Sequence, residues 1–234
     1  MNAGARIGLL GGTLDPIHVG HVETAKAAQR ALGLDHLYVL PSNVPPHRTE
    51  LPVASGYHRF AMTALAINGL DGLEASDMEL RAPGPSYTAE TLTRFRARGD
   101  ARDAQIFFIT GADAFAEIET WYRYPEVLDL ANFAVVSRPG FPVERLRDLL
   151  PSLTARMIRV EEPRFAGRDS RVASIFLINA ATPDASSTEV RRRLAAGESV
   201  AGMIPDAVER HIRQHRLYCG TPVSEAADHL HGQD

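Results

Sequence analysis

Runs of consecutive apolar residues alternate along the chain with segments in which apolar residues recur at helical spacing. The apolar runs predict buried strands at residues 7–10, 36–41, 106–110, 133–139 and 174–178. The helical spacing predicts helices at residues 17–32, 57–67, 88–98, 188–196 and 206–215. Strands without polar alternation are typical of a sheet covered on both faces, and strand–helix alternation favours right-handed crossovers. The pattern therefore predicts an α/β fold with a doubly wound parallel sheet and C-terminal helices.

Ligands of doubly wound sheets bind beyond the carboxyl ends of the strands, so residues that follow strands are the first candidates for a site. Here those residues are 11–21, 41–48, 111–113 and 137–139. Residues 161–173 are polar and irregular and predict a loop. We expect a single domain over residues 1–218, followed by a disordered tail at residues 219–234.

Composition narrows the classes of protein. The chain has 234 residues, of which 44% are hydrophobic, and this suits one α/β domain with a sizeable core. A net charge of −4 excludes a strongly basic binder, so we expect neither nucleic acid nor a membrane as a partner. Lys26 is the only lysine, so any phosphate chemistry must use arginine, histidine and backbone amides.

Cysteine content and the N-terminal sequence bear on the compartment. Cys219 is the single cysteine, so no intramolecular disulfide can form. The first residues lack the charged and apolar regions of a signal peptide, and no apolar run reaches the roughly 18 residues that span a bilayer. We therefore expect a cytoplasmic protein.

The stretch GGTLDPIHVGH at residues 11–21 follows the first predicted strand and opens the first predicted helix. Gly11, Gly12 and Thr13 predict a sharp turn whose backbone comes close to a ligand. The helix N-terminus offers free amides to an anion. His18 and His21 are three residues apart and lie on one face of its first turn, where imidazolium would be favoured beside a polyanion. The stretch predicts a phosphate site.

Other interpretations of this stretch fit less well. It has neither the Gly-Lys-Ser/Thr of a P-loop nor the Gly-x-Gly-x-x-Gly of a dinucleotide fingerprint. Two histidines could bind zinc, but no cysteine or close carboxylate completes a ligand set. A simple turn with partly exposed histidines explains each residue singly but not their combination.

The whole stretch closely resembles the adenylyltransferases of the nucleotidyltransferase superfamily that carry a His-x-Gly-His signature. Leu14 stands where that family usually has Phe. The resemblance implies a Rossmann-like fold of the nucleotidyltransferase type. It also implies that residues 11–14, which are Gly11, Gly12, Thr13 and Leu14, bind ATP and that His18 and His21 are catalytic.

A second anion site is predicted at SSTEVRRRL, residues 186–194. Ser187 and Thr188 predict an N-cap, with Glu189 in the first turn and Arg191 one turn into the helix. The segment resembles the Ser-Thr-x-x-Arg motif of the same family. That resemblance implies that Ser187 and Thr188 bind the β- and γ-phosphates of ATP, with Arg191 as a catalytic residue.

The choice of acceptor depends on two further segments. Residues 40–48, LPSNVPPHR, resemble a loop of the nicotinate-mononucleotide adenylyltransferases, with Arg48 where that family usually has Lys. Residues 85–92, PSYTAETL, resemble its Ser-Tyr-Thr segment, although Ser86 or Thr88 could also simply cap the next helix. The resemblance implies that Arg48, Tyr87 and Thr88 bind the acceptor.

Trp121 is the only tryptophan and stands in a polar context beside Tyr122. Core packing is the usual fate of a lone tryptophan, but its ring can also stack on a pyridine. The resemblance implies that Trp121 and Tyr122 line the acceptor pocket. It also implies that Gly111 and Asp113 contact the ribose of adenosine and that Arg138 lies near the nucleotide.

The implied reaction joins nicotinate mononucleotide to ATP, giving nicotinate adenine dinucleotide and pyrophosphate. The resemblance also implies that Mg²⁺ binds to the phosphates, and we assign it no protein ligand. Nicotinamide mononucleotide as acceptor and a pantetheine-phosphate adenylyltransferase are the alternatives, and a non-catalytic nucleotide-binding domain is a further one. The oligomeric state stays open, and a homo-oligomer is possible.

His211 and His215 are four residues apart on the last predicted helix. This spacing could place a metal pair there, but an exposed helix face is the favoured interpretation.

Overall fold

The computed structural model describes residues 4–46, 51–98, 101, 103–160 and 173–219. Arg48, residues 161–172 of the predicted loop and residues 220–234 of the predicted tail lie outside these described residues. Within them, no helix is both long enough and apolar enough to cross a membrane.

Seven parallel strands form one sheet in the order β3-β2-β1-β4-β5-β7-β6. Their bounds are β1 Arg6–Gly12, β2 His36–Pro41, β3 Leu73–Ala75, β4 Gln105–Gly111, β5 Asn132–Val136, β6 Met157–Val160 and β7 Ile175–Ile178. The doubly wound parallel sheet is thus confirmed. Two edge strands, β3 and β6, were not predicted because both are short and neither is a continuous run of buried apolar residues.

In the described part of the chain, seven α-helices accompany the sheet: α1 Val19–Leu32, α2 Gly56–Ile67, α3 Thr88–Arg96, α4 Ala112–Phe115, α5 Leu146–Leu149, α6 Ser187–Ala195 and α7 Asp206–Gln214. Single 3₁₀ segments occur at Ile118–Thr120, Glu126–Asp129, Val143–Arg145 and Pro151–Arg156. The five predicted helices agree with α1, α2, α3, α6 and α7 to within two residues at each end.

Helices cover both faces of the sheet and enclose two hydrophobic cores. One core packs α1, α2, α6 and α7 against residues such as Phe107 and Ile109. The other packs α3, α4 and α5 against the opposite faces of the same strands, including Ile106 and Phe108. Because successive side chains of a strand point to opposite faces, a strand buried on both sides shows no polar alternation.

The strand order reverses direction at β1. Along the chain the sheet grows outward from β1 through β2 to β3, and then restarts on its other side at β4. The crevice between the carboxyl ends of β1 and β4 is therefore the topological switch point, where ligands of such sheets bind. Gly11 and Gly12 end β1 there, and Gly111 ends β4.

Candidate functional site

The two glycines after the first apolar run belong to the strand and do not form the turn. Gly11 and Gly12 pair with Leu40 and Pro41 of β2, so the predicted turn at the glycines is wrong. The chain turns beyond them, where Leu14 has a left-handed φ of 51° and buries its side chain in the core. Any contact of Leu14 with a nucleotide must therefore come from its backbone.

A buried carboxylate holds this turn. Asp15 accepts hydrogen bonds from the backbone N–H of Val53 at 2.8 Å and of Ala54 at 3.1 Å. The hydroxyl of Tyr218 donates a third at 2.7 Å. Burial of Tyr218 and its bond to Asp15 raise the pKa of this tyrosine, so the phenol stays protonated. The turn is thus tied to the end of the described chain, a link that no local pattern predicted.

Arg59 is a second anchor that the sequence analysis missed. Only 2% of this residue is exposed, and its guanidinium donates to the carbonyls of Thr13 at 2.8 Å, Ser42 at 2.6 Å and Ala54 at 3.2 Å. It therefore joins the turn after β1 to the turn after β2. The only signal was an arginine on the apolar face of a predicted helix, where a buried charge needs several partners.

The histidine pair sits at the very start of α1. The helix begins at Val19, two residues later than predicted, and His18 is its N-cap. The backbone N–H of His18 donates to Nδ1 of His21 at 3.2 Å, and the two ring centroids are 3.7 Å apart. With Nδ1 as acceptor, a neutral His21 carries its proton on Nε2.

His18 is buried, with 4% of the residue exposed, and its Nδ1 has no hydrogen-bond partner among the described residues. Burial, with a smaller contribution from the charge of Arg138, lowers the pKa of His18 to about 4. Without a bound anion, His18 is therefore neutral near pH 7. An anion beside the ring would reverse this, because a nearby negative charge favours the protonated form.

The glycine of the His-x-Gly-His signature has a steric reason. A Cβ on Gly20 would lie 3.0 Å from Cε1 and Nδ1 of His18 and 3.3 Å from a guanidinium nitrogen of Arg138. Gly111 is similarly confined, since its Cβ would meet the carboxylate of Asp113 and, at 2.9 Å, Nε of Arg138. Arg138 thus lies next to His18, and its Nε is 4.0 Å from a carboxylate oxygen of Asp113.

The start of α6 is docked against the first turn. Its N-cap is Ser186, whose hydroxyl accepts from the N–H of Glu189 at 3.2 Å, and not Ser187 as predicted. Ser187 instead donates to the carbonyl of Pro16 at 2.9 Å. Arg191 donates to the carbonyl of Asp15 at 2.6 Å, and Thr188 Oγ1 lies 3.5 Å from the same guanidinium. The two predicted anion sites therefore form one surface.

A cleft of about 280 Å³ opens beside the end of β1. It is lined by Gly11, Gly12, Thr13, Ser42, Pro45, Pro46, Glu79, Ser86, Tyr87, Thr88, Phe108, Thr110, Ala114, Trp121 and Tyr122. The four described residues that were predicted to bind the acceptor, Tyr87, Thr88, Trp121 and Tyr122, are all in this lining.

Aromatic rings form one wall of the cleft. The rings of Tyr87 and Tyr122 stack with centroids 4.4 Å apart. Trp121 meets Phe108 edge-to-face at 6.1 Å and packs against the core, so the interpretation of its context as unlike a core is wrong. Trp121 both packs and faces the cleft.

Glu79, on the polar side of the cleft, was not predicted. Tyr87, and not Ser86 or Thr88, is the N-cap of α3, and Ser86 accepts a hydrogen bond from the N–H of Asn43 at 2.8 Å. Glu79 is buried and accepts from the hydroxyl of Thr91 at 2.7 Å. Burial raises the pKa of Glu79 above its usual range. A buried acid inside a polar turn sequence gives no local signal.

His18, His21, Arg138 and Arg191 are not among the lining residues. They adjoin the cleft through residues 13–18, which run on directly from its wall at Gly11 and Gly12. We call the cleft the aromatic compartment, and the group of His18, His21, Arg138 and Arg191 the cationic compartment. The two are linked by the chain at the end of β1.

Comparisons with known proteins agree with this geometry. The model of a family described as cytidylyltransferase-like matches residues 9–193. A protein of Desulfatibacillum aliphaticivorans named probable nicotinate-nucleotide adenylyltransferase is 38% identical, over 91% of this chain and 99% of its own length. A protein of the same name from Pseudomonas aeruginosa PAO1 is 39% identical, over 92% of this chain and 98% of its own length.

Two solved structures share the fold. The Plasmodium falciparum nicotinic acid mononucleotide adenylyltransferase complexed with NaAD has a TM-score of 0.71 at 18% identity, covering 92% of this chain and 97% of that one. The same enzyme complexed with APC has a TM-score of 0.68 at the same identity and coverage. From the family match and these curated relatives, the chain belongs to the cytidylyltransferase-like family and, within it, to the nicotinate-nucleotide adenylyltransferases.

Proposed function

We propose that the protein transfers the adenylyl group of ATP to nicotinate mononucleotide, giving nicotinate adenine dinucleotide and pyrophosphate. One observation carries the proposal above others. The wall of the aromatic cleft that contains Trp121 includes Gly11 and Gly12, and the chain continues from there into the turn that leads to His18 and His21. An acceptor with its pyridine in the cleft would therefore bring its phosphate to the α-phosphate of ATP at the end of β1.

The acceptor would occupy the aromatic compartment. Trp121 offers a ring face to the pyridine, and Tyr122, 48% exposed, closes the entrance together with Tyr87. The first N–H groups of α3, from Thr88 onward, have no partner within the helix and would receive the carboxylate of nicotinate. Arg48 would hold the acceptor phosphate.

ATP would lie across the cationic compartment. The backbone of residues 11–14, together with His18, His21 and Arg138, would surround the α-phosphate, and Gly111 and Asp113 would contact the ribose. Ser187, Thr188 and Arg191 would hold the β- and γ-phosphates. The bond from Arg191 to the carbonyl of Asp15 fixes this arginine before the nucleotide arrives.

The chemical step needs no protein nucleophile and no general base. An oxygen of the acceptor phosphate attacks the α-phosphorus, a new P–O bond forms in line, and the bond to the β-phosphate oxygen breaks. That phosphate is already ionised near neutral pH, because its second pKa is about 6. No proton has to move, so the protein's contribution is positioning and stabilisation of charge. His21 Nε2–H would donate to the α-phosphate, and Arg191 would stabilise the departing pyrophosphate.

Mg²⁺ would enter with ATP as part of the substrate. Of the carboxylates beside the turn, Asp15 uses both oxygens for protein donors, and Glu79 is buried with a raised pKa. Asp113 faces Arg138. With these three carboxylates engaged, the oxygens of phosphate and water would be the ligands of the metal, since Mg²⁺ keeps several waters in such complexes. The ion would neutralise phosphate charge.

A pyrophosphate-release assay with Mg-ATP tests the proposal. Nicotinate mononucleotide, nicotinamide mononucleotide and phosphopantetheine are compared as acceptors at equal concentrations. We expect the highest kcat/KM with nicotinate mononucleotide and formation of the dinucleotide in equal amount to pyrophosphate. A higher kcat/KM with either other acceptor, or no release with any of them, contradicts the proposal.

A further inference from the structure

Three histidines at two helices face one another, and none of them lines the cleft. His58 lies in the first turn of α2, His211 lies in the last turn of α7, and His215 is the C-cap of α7. Nδ1 of His58 is 3.1 Å from Nε2 of His211. One ring nitrogen of each of the three lies within 4.8 Å of the other two. Among the described residues, this is the one set of three or more His, Cys, Asp or Glu side chains gathered so closely.

The spacing suits a tetrahedral metal centre. Zinc binds imidazole nitrogen at about 2.0–2.1 Å, which places the nitrogens of two ligands roughly 3.4 Å apart. His58 and His211 are already near this separation. His215 is exposed, so a change of its side-chain rotamer can bring its nitrogen closer to the other two. His215 follows His211 by four residues, one helical turn, and so lies on the same side of α7.

The three rings lie close together, with centroids 4.5–5.3 Å apart. Positively charged rings at such separations repel one another, whereas one metal ion attracts a nitrogen of each neutral ring. The hydrogen bond between His58 and His211 involves only two of the three rings, whereas a metal would bind a nitrogen of each. Neutral imidazole is the form that binds a metal.

We propose that His58, His211 and His215 form a binding site for a divalent transition metal of the Zn²⁺ class, with a non-protein ligand such as water in the fourth position. Imidazole nitrogens suit Zn²⁺, Cu²⁺ or Ni²⁺, whereas Mg²⁺ and Ca²⁺ prefer oxygen. The three histidines have no part in the proposed adenylyl transfer, so the metal site does not depend on the proposed function.

Its position gives the metal a structural task. Arg59, which follows His58 in α2, holds the carbonyls of Thr13 and Ser42. Tyr218, which follows α7, holds Asp15. A metal at the three histidines joins α2 to α7 and so fastens together the two elements that support the turn after β1.

The test uses the full chain, freed of metal with a chelator and titrated with Co²⁺. Tetrahedral Co²⁺ bound by nitrogen gives strong visible absorption, and Zn²⁺ then displaces it. We expect one equivalent to bind, and we expect His58→Gln, His211→Gln and His215→Gln each to weaken binding at least about 10-fold. At a hundredfold excess over its Kd, Zn²⁺ should raise the Tm of the wild type by roughly 5–10 °C.

Two controls separate this site from other histidines. His36→Gln removes a partly buried histidine hydrogen-bonded to Glu74, and a His229→Gln/His231→Gln double variant removes those of the C-terminal segment. Both should keep the Co²⁺ spectrum and the Zn²⁺-dependent rise in Tm. His215→Gln, an exposed change, should fold with the metal-free Tm of the wild type and lose the rise. Unchanged metal binding in the His215 variant, or no tetrahedral spectrum in the wild type, overturns the proposal.

Discussion

The backbone N–H of His18 donates to Nδ1 of His21 across the first turn of α1. One histidine thus caps the helix, and the other is fixed in the tautomer that presents Nε2–H. The two residues of the signature are therefore not equivalent. His18 is buried beside Arg138, whereas His21 is positioned as a hydrogen-bond donor.

Replacement of His21 separates these roles. His21→Ala should lower kcat about 10²–10³-fold, because one donor to the charge of the transition state is lost, while the Kd for ATP changes much less. His21→Asn should restore helix stability, since its carboxamide oxygen takes the place of Nδ1, but not kcat. Stopped-flow turnover and calorimetric ATP binding measure the two effects. Equal turnover in the alanine variant would remove the role given to His21.

The lowered pKa of His18 predicts acid sensitivity. Its folded pKa of about 4 lies below the ordinary value of 6.5, so the unfolded chain binds more protons between these limits. The free energy of unfolding should therefore rise with pH across this window, by up to about 3 kcal/mol from this residue. Urea unfolding between about pH 4 and pH 7 measures the slope. The slope should be smaller in His18→Asn, and an identical slope would show that His18 is not buried as a neutral ring.

Trp121 should act on the acceptor and not on ATP. Trp121→Ala should raise the KM for nicotinate mononucleotide about 10-fold and leave the KM for ATP near the wild-type value, because the ring lines only the aromatic cleft. Trp121→Phe should recover most of the loss. Since Trp121 also packs on Phe108, thermal melts must show that the alanine variant is folded under the assay conditions. An unchanged acceptor KM would place the pyridine elsewhere.

Tyr218 should stabilise the protein from a distance in sequence. Tyr218→Phe removes a donor to the buried carboxylate of Asp15 and should lower the free energy of unfolding by about 1–3 kcal/mol. Tyr57→Phe is the matched control, because that tyrosine is 91% exposed and should have no effect. Chemical denaturation at neutral pH compares the two variants. Equal stability of both would mean that Asp15 does not need the Tyr218 hydroxyl.

Much of the fold followed from short-range patterns. Uninterrupted apolar runs predicted β1, β2, β4, β5 and β7, since a strand covered on both faces has no polar positions. The edge strands β3 and β6 were missed because partial exposure removes that signal. Helix ends shifted for a local reason as well, as at His18, where an N-cap cannot be distinguished from a first helical residue by apolar spacing alone.

The family could also be predicted from the sequence, since residue types and spacing carry it, whereas the two anion sites stay predictions. The predicted assignments of individual residues to ATP and acceptor stay predictions. The structure brings the described ones together around the end of β1, with the aromatic residues in the cleft and the histidines, Arg138 and Arg191 beyond the turn. The assignment of residues 1–218 as one domain likewise stays a prediction.

The sequence by itself determined the layered α/β architecture and the family, because periodicity and motif spacing are properties of neighbouring residues. Only the tertiary structure decided that Arg59 and Tyr218 hold the first turn, that His18 is neutral, and that His58 meets His211 and His215. These depend on burial and on contacts between residues far apart in the chain. Packing of the whole molecule sets both, and no local pattern encodes them.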